Sequence, residues 1–314
     1  MELIIHHWDT DGITSAALLI KALNLKDYKN MTAPIGEFRF DDRIWNEIKN
    51  AERVYILDFN VPSEAEKIKV PTIFIDHHEQ PRITNPFVRQ INPVLVGRRA
   101  PSTSFVVSEY FSFWNAWTAL GAVGDLGEGV FKIERVNELL SKDNISKEEA
   151  LRLVELIDSN YITMDREDVE KAVSILLENE TKELLNYEPW IKKVEAIRRA
   201  IEDALSEVQE RKGFAFVEFE SSFNIISKVA RKLVWEKGYR GAIVVNRNFH
   251  GMAQVYFRIS TSMADKVDMR GIIRELRSLG LNAGGKREVL GCICDRDKTE
   301  EALEVIEKHL ELNI

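Results

Sequence analysis

The chain has 314 residues, 45% hydrophobic and 30% charged, with 43 basic and 51 acidic side chains and a net charge of −8. That length accommodates a large core and about two domains. No stretch reaches the roughly 20 apolar residues of a membrane span, and the N-terminus lacks the basic, apolar, small-residue order of a signal peptide, so a cytoplasmic protein with no membrane partner is expected.

The first 125 residues alternate strand-like and helix-like segments. ELIIHHW reads as a strand and TSAALLIKAL as a helix; RVYILDF and PTIFIDHH are strands of the nearly all-apolar kind; FVVSEYF and WNAWTALGAVGD read as helices. Short apolar strands separated by helices predict a parallel sheet covered on both faces. Function gathers at the C-terminal ends of such strands, and three of them finish on titratable groups: HHWDTDG, DFN and DHHE.

Residues 130–212 read as almost wholly helical. Ser146 and Glu149 have the spacing of a capping box. PWIKKVEAIRRAIEDALSEVQERKG reads as one long amphipathic helix stopped by Gly213 at C′, and as the connector between domains. The expected boundaries are a first domain over 1–188, a linker helix over 189–212 and a second domain over 213–314. In the second domain FAFVEFE, GAIVVNRN, MAQVYFRIST and EVLGCIC read as strands, and NIISKVARKLVWEKG, DMRGIIRELRSLG and TEEALEVIEKHL as helices. Cys292 and Cys294 are expected in a buried strand, facing opposite ways and unpaired. The scarcity of cysteine beside plentiful Glu, Lys, Arg and Ile fits a thermophilic source.

Charge divides with the domains. From residue 213 onward there are 16 basic and 14 acidic residues, against 27 and 37 before it. An acidic half binds phosphate poorly unless a cation from outside the sequence intervenes, and a bound divalent metal is the candidate.

His7, Asp9 and Asp11 alternate, so on an extended strand end they are expected to share one face, with His6 structural and facing away. Neighbouring carboxylates repel, burial makes that worse, and a divalent cation resolves the conflict. Asp58 ends the next strand, Asp76, His77 and His78 another, and Asp125 follows GAVG, where glycines permit close backbone approach. Gly12 is expected to free the turn into the first helix. Carboxylates mixed with imidazoles, too many for one zinc, suit manganese or magnesium. Two ions about 3.5–4 Å apart, bridged by one carboxylate, fit two-metal phosphoester hydrolysis. Arg98 and Arg99 precede APSTSF at a helix start, where they are placed to hold a phosphate beside helix N–H groups; a surface ion-pair role competes with that.

HHWDTDG, LDF, IDHH and GAVGDLGE resemble the four ordered motifs of the DHH phosphoesterase superfamily, which includes RecJ-like nucleases, oligoribonucleases, cyclic-dinucleotide phosphodiesterases and family II pyrophosphatases. The resemblance implies an α/β fold: a parallel-sheet DHH domain with flanking helices, a linker helix, a smaller α/β DHH-associated C-terminal domain, and a cleft between. It implies that His7, Asp9 and Asp58 hold one metal and that Asp11, Asp58, His77 and Asp125 hold a second, with Asp58 bridging. His78 would meet the scissile phosphate and Asp76 would orient the histidines. QVYFRIS, KVDMRGIIREL and NAGGKREVLGC resemble the DHH-associated domain. There Arg258 matches a phosphate-contacting arginine, Ser260 follows it, and Gly284 and Gly285 match a glycine turn that approaches a nucleotide. Lys286 stands where the family carries histidine, keeping the cation but losing the planar ring, and Arg287 is placed to share its role.

The resemblance implies a metal-dependent exonuclease of the archaeal RecJ-like kind, the branch that includes the Hef-associated nuclease. It would cut single-stranded DNA or RNA ends, 3′ to 5′ favoured, with two divalent ions, manganese foremost and magnesium the alternative. A homo-oligomer and a Hef-like repair helicase or nuclease as partner are expected with it. The competing readings are a nano-RNase or linear-dinucleotide phosphodiesterase, and an inactive scaffold on the same fold, which would require lost ligands.

Overall fold

The computed structural model describes residues 1–211 and 213–313, and the chain divides into two compact units, Met1–Val194 and Glu195–Ile314. The boundary falls inside one helix.

The first unit is built as β1 (Glu2–His6), α1 (Thr10–Leu23), β2 (Tyr28–Thr32), α2 (Asp42–Asn50), β3 (Arg53–Leu57), α3 (Pro62–Ala65), β4 (Thr72–Ile75) and β5 (Val88–Ile91), followed by α4 (Thr103–Phe111), α5 (Ala116–Leu126), α6 (Glu134–Lys142), α7 (Lys147–Ile162), α8 (Arg166–Glu178) and α9 (Glu188–Ser206). The five strands are all parallel, in the order β2-β1-β3-β4-β5. Leu3, Ile4 and Ile5 of β1 are completely buried, as are Val54, Ile56 and Leu57 of β3, as expected of strands covered on both faces. The chain leaves β1 for β2 on one side and returns to β3 on the other. The sheet therefore changes winding direction at β1 and β3, and the crevice such a switch opens lies at their C-terminal ends. All three titratable turns lie on that edge.

Helix α1 is buried from Thr10 to Ile20, all but its last turn, and packs against α4, α5 and α8. Strands β2 (YKNMT) and β5 (VRQI) are sheet edges that lack the apolar run of the central strands, and the sequence pattern does not mark them. The capping box at α7 is formed, with Ser146 Oγ accepting from Glu149 N–H and Glu149 accepting from Ser146 N–H.

The second unit has β6 (Gln209–Arg211), β7 (Phe214–Phe219), α10 (Ile226–Arg231), β8 (Gly241–Phe249), β9 (Met252–Ile259), α11 (Met269–Ser278), β10 (Asn282–Lys286), β11 (Val289–Cys294) and α12 (Thr299–Asn313). The six strands run β10-β11-β9-β8-β7-β6, antiparallel except for the β7–β8 pair. Helices α11 and α12 pack against β9, β10 and β11, and α10 packs against β8 and β9.

Four expectations are corrected here. The long helix stops at Ser206, and QER forms edge strand β6 instead. Gly213 has φ +79 and sits between β6 and β7, so it serves a strand turn, not a helix end. Gly284 and Gly285 lie within strand β10, opposite Gly291 and Leu290, not in a turn. Space rather than φ demands Gly285: a Cβ there would lie 2.1 Å from the Val289 carbonyl oxygen. The fourth concerns Cys292 and Cys294. Residues two apart on a strand share a face, and both are buried in the same core while Ile293 between them is 40% exposed.

Candidate metal centre

The first motif is a strand-to-helix turn. His7 still donates its N–H to the Leu57 carbonyl, extending the β1–β3 ladder. Asp9 is the N-cap of α1, its Oδ1 accepting the Gly12 N–H at 3.1 Å, and Asp11 lies in the first helical turn. The single strand face expected for His7, Asp9 and Asp11 is therefore replaced by convergence across a turn, because an N-cap carboxylate satisfies a helical N–H that an extended chain would not offer. Gly12 is helical, and steric room explains it: a Cβ there would stand 2.3 Å from the His7 carbonyl oxygen.

Asp58 follows β3 with a left-handed backbone, φ +58, a conformation rare for residues with a side chain and common where a site demands it. Asp76 follows β4, its N–H donated to the Ile91 carbonyl, and His77 and His78 come next. Asp125 is the penultimate residue of α5. That helix lies close because a Cβ on Gly121 would be 2.2 Å from Ser104 Oγ and 2.3 Å from Asp11 Oδ1.

These residues form three overlapping groups, each with its ligand atoms within 4.8 Å of one another: His7, Asp9 and Asp58; Asp11, His77 and Asp125; and Asp58, Asp76, His77 and His78. His7 Nδ1 is 2.8 Å from Asp9 Oδ2 and 3.7 Å from Asp58 Oδ2. His77 Nε2 is 3.1 Å from Asp125 Oδ2 and 3.7 Å from Asp58 Oδ1. The two oxygens of Asp58 thus face the histidines of two different groups. His77 Nδ1 lies 3.4 Å from the Ala100 carbonyl, a contact that orients the ring so that Nε2, once deprotonated, would be free to bind a cation. Asp76 Oδ1 accepts from His77 N–H, His78 N–H and His78 Nδ1 at 2.7, 3.0 and 2.7 Å. It fixes the His78 ring, whereas the ring of His77 is held by Ala100.

Electrostatics show what the cluster lacks. Burial first, then Asp125, pushes Asp11 up to about 7. Burial, then Asp11, Asp9 and Asp125, hold Asp58 well above the usual carboxylate range. Burial opposes protonation of His77, yet Asp125 and Asp11 prevail and raise it to about 9. His7 is raised in the same way, Asp9 outweighing burial. Burial alone would raise Asp9, but His7 overrides it and lowers Asp9 to about 2. Two like charges 4 Å apart repel by about 4 kcal/mol at an effective dielectric of 20, so the cluster traps protons wherever it can. Asp58 Oδ2 and Asp76 Oδ2 are buried without a hydrogen-bond partner among the described residues, and His7 Nδ1 and His77 Nε2 are buried against the carboxylates of Asp9 and Asp125. Buried carboxylate oxygens without partners, beside imidazole nitrogens, fit divalent cations. His6 is different: it is fully buried, its Nδ1 lies 2.7 Å from the His7 carbonyl, and desolvation lowers it to about 4, so it is neutral.

Several contributors carry no motif. Thr103 Oγ1 donates to Asp58 Oδ1 at 2.8 Å, and the N–H groups of Thr103 and Ser104 donate to Asp11 at 2.6 and 2.9 Å. The start of α4 is thereby filled by the protein's own carboxylate. The helix N–H groups expected to join Arg98 and Arg99 at a phosphate are thus engaged, while both arginines are exposed, Arg98 lying 3.7 Å from Glu109. Trp8, Phe38 and Phe59 pack around the His7 ring at 4.2, 6.0 and 6.0 Å.

The remaining candidates lie in the second unit. Arg258 is on β9, 8% exposed, with Nη2 donating to the Tyr256 hydroxyl at 3.3 Å. Ser260 Oγ is 2.9 Å from Ser262 Oγ. Arg287 pairs with Asp265, Lys286 ends β10 exposed, and Gly284 is half-buried.

Among the described residues no helix is long and apolar enough to cross a membrane. No curated protein matches the chain by sequence. Among solved structures, the DHH domain of a member of the s1p family of ribosomal proteins is 16% identical, with a TM-score of 0.73, covering 98% of this chain and 86% of that one. RecJ from Thermus thermophilus, solved in complex with Mn2+, is 16% identical with a TM-score of 0.69, covering 98% of this chain and 51% of that one. PggH of Vibrio cholerae, a pGpG-specific phosphodiesterase, is 12% identical with a TM-score of 0.55, covering 100% and 99%. At such identities the likeness is one of fold. Residues 3–125 match the model of the DHH family, N-terminal domain, and that span contains all eight aspartates and histidines of the centre.

Proposed function

We propose that the chain is a metal-dependent phosphodiesterase that trims single-stranded DNA or RNA ends as an exonuclease, 3′ to 5′ favoured. The observation that carries the metal-dependent chemistry is Asp58, whose two oxygens face His7 and His77 in separate groups. His7, Asp9 and Asp58 would hold one divalent ion, and Asp11, Asp58, His77 and Asp125 the other. Bound there, the ions supply charge for the phosphoryl oxygens and a more acidic water.

The chain's own residues do the rest. Thr103 fixes Asp58, and the first N–H groups of α4 fix Asp11. Asp76 accepts from His78 Nδ1, and the imidazolium form of that half-exposed ring would also carry an Nε2 hydrogen to donate to a phosphate oxygen. In the second unit, Arg258, Lys286 and Arg287 are cations suited to the strand's phosphates, with Ser260, Gly284 and Gly285 beside them. The Mn2+ of the RecJ structure supports manganese, with magnesium the alternative.

The end-to-end match in length to a pGpG-specific phosphodiesterase supports a second reading, hydrolysis of very short oligonucleotides. One experiment separates the two: 5′- and 3′-labelled DNA and RNA dimers and 20-mers digested across manganese and magnesium titrations. Mononucleotide release from 20-mers selects the exonuclease, and cleavage of dimers alone selects the second reading. Intact substrates throughout would refute both.

A further inference from the structure

We infer that Trp235, with Arg231 and Arg258 beside it, is a platform on which the second unit stacks one base of a single strand while holding its adjoining phosphates. This deepens the nucleic-acid reading above and rests on it.

Trp235 is 63% exposed, on a turn that its neighbours Leu233 and Val234 anchor in the core. The helix widens there: Lys237 N–H bonds back to the Lys232 carbonyl, five residues earlier, so Lys232–Glu236 is a π-turn. Such turns re-aim side chains and recur at functional sites. An indole that exposed, with no apolar partner covering it, costs solvation that a core position would have avoided.

Two guanidinium groups flank the ring, Arg258 at 4.9 Å and Arg231 at 5.7 Å from its centroid. Arg258 is the telling one. Phe257 and Ile259 on either side of it enter the core, so alternation sends Arg258 to the opposite face of the sheet. It is 8% exposed, yet among the described residues no carboxylate pairs with it and its Nε has no partner. A buried guanidinium without an anion is costly, and an aromatic face alone offsets little of that. The missing group is an anion held next to an aromatic ring, which describes a nucleotide within a strand: phosphate for the arginines, base for the indole. Lys228 and Lys237 extend the cationic stretch, while Lys232 is paired with Glu236 at 3.1 Å. Base–aromatic stacking is indifferent to sequence because every base has a π-face, so the platform would grip any single strand.

The test uses the full chain in chelating buffer, where strands are not cut, with a fluorescein-labelled thymidine 15-mer and the same oligomer made abasic along its length. Trp235→Ala should weaken thymidine binding about tenfold and abolish the preference for thymidine over abasic strand. Trp235→Phe should restore most of both. Arg231→Gln should weaken both oligomers equally and flatten the salt dependence. Unchanged affinity in Trp235→Ala, or an equal loss on the abasic strand, overturns the platform while leaving the nuclease reading in place. A wild-type chain that binds neither oligomer and cuts neither with manganese overturns the nucleic-acid reading itself.

Discussion

At Asp58 the backbone turns left-handed to bring one carboxylate between two histidines, and the neighbouring side chains divide their work accordingly. His78 has its Nδ1 committed to Asp76, and under this account its half-exposed ring meets the substrate phosphate and holds no ion. His78→Ala should lower kcat about 100-fold or more while leaving the number of bound manganese ions unchanged; loss of manganese in that variant would contradict the role. Protonation gives a second test. Asp11 and His77 have folded-state values raised to about 7 and about 9. A raised group stabilises the fold below its unfolded value, and that stability is lost as pH climbs through the folded value. Between pH 6.5 and 9 His77 loses its stabilising proton, with His7 and Asp58 raised beside it in the same sense, whereas His6, lowered to about 4, costs stability only as pH falls below 6.5. Metal-free protein should therefore lose several degrees of melting temperature from pH 6.5 to 9, and His77→Asn should reduce that slope. Saturating manganese should flatten or reverse it, since the ligands bind metal deprotonated. A chelated protein whose melting point rises over that interval would contradict the assignment.

At the scale of elements, the close approach of α5 to α1 depends on glycine. In a helix interior Gly→Ala ordinarily stabilises by roughly 0.5–1 kcal/mol. At Gly121 the added methyl would meet Ser104 Oγ and Asp11 Oδ1, and overpacking of that kind costs about 1–3 kcal/mol, so the sign reverses. Gly121→Ala should lower the melting temperature and weaken manganese binding together. Gly124→Ala, whose nearest neighbour is Thr10 Cβ at 3.2 Å, should come close to neutral. Calorimetry of the two variants decides it. The contrast also bears on how much was legible beforehand. The central strands and their titratable ends stand out because charged residues directly follow buried apolar runs. The edge strands YKNMT and VRQI carry no such contrast, and NAGGK has two glycines where a strand signal would be. Thr103 and Ser104 hold Asp11 through backbone N–H groups, which no side-chain pattern announces. Alternation does not put His7, Asp9 and Asp11 on one face, because the strand stops at His6 and the N-cap at Asp9 turns the chain into α1.

On the scale of the whole molecule, the charge division has a purpose under this account. Residues 1–212 are acidic enough to need cations, while the remainder is close to neutral with arginine and lysine prominent. Metal should therefore stabilise the chain by mass action, about 2.7 kcal/mol at a free concentration one hundred times Kd, and strand binding should weaken steeply with salt. The central claim is that Asp58 joins two ion sites, and counting ions tests it most directly. Equilibrium dialysis against manganese should give two ions per wild-type chain and at most one, weakly held, in Asp58→Asn. No tightly held ion in the wild type, or an undiminished pair in Asp58→Asn, would contradict it.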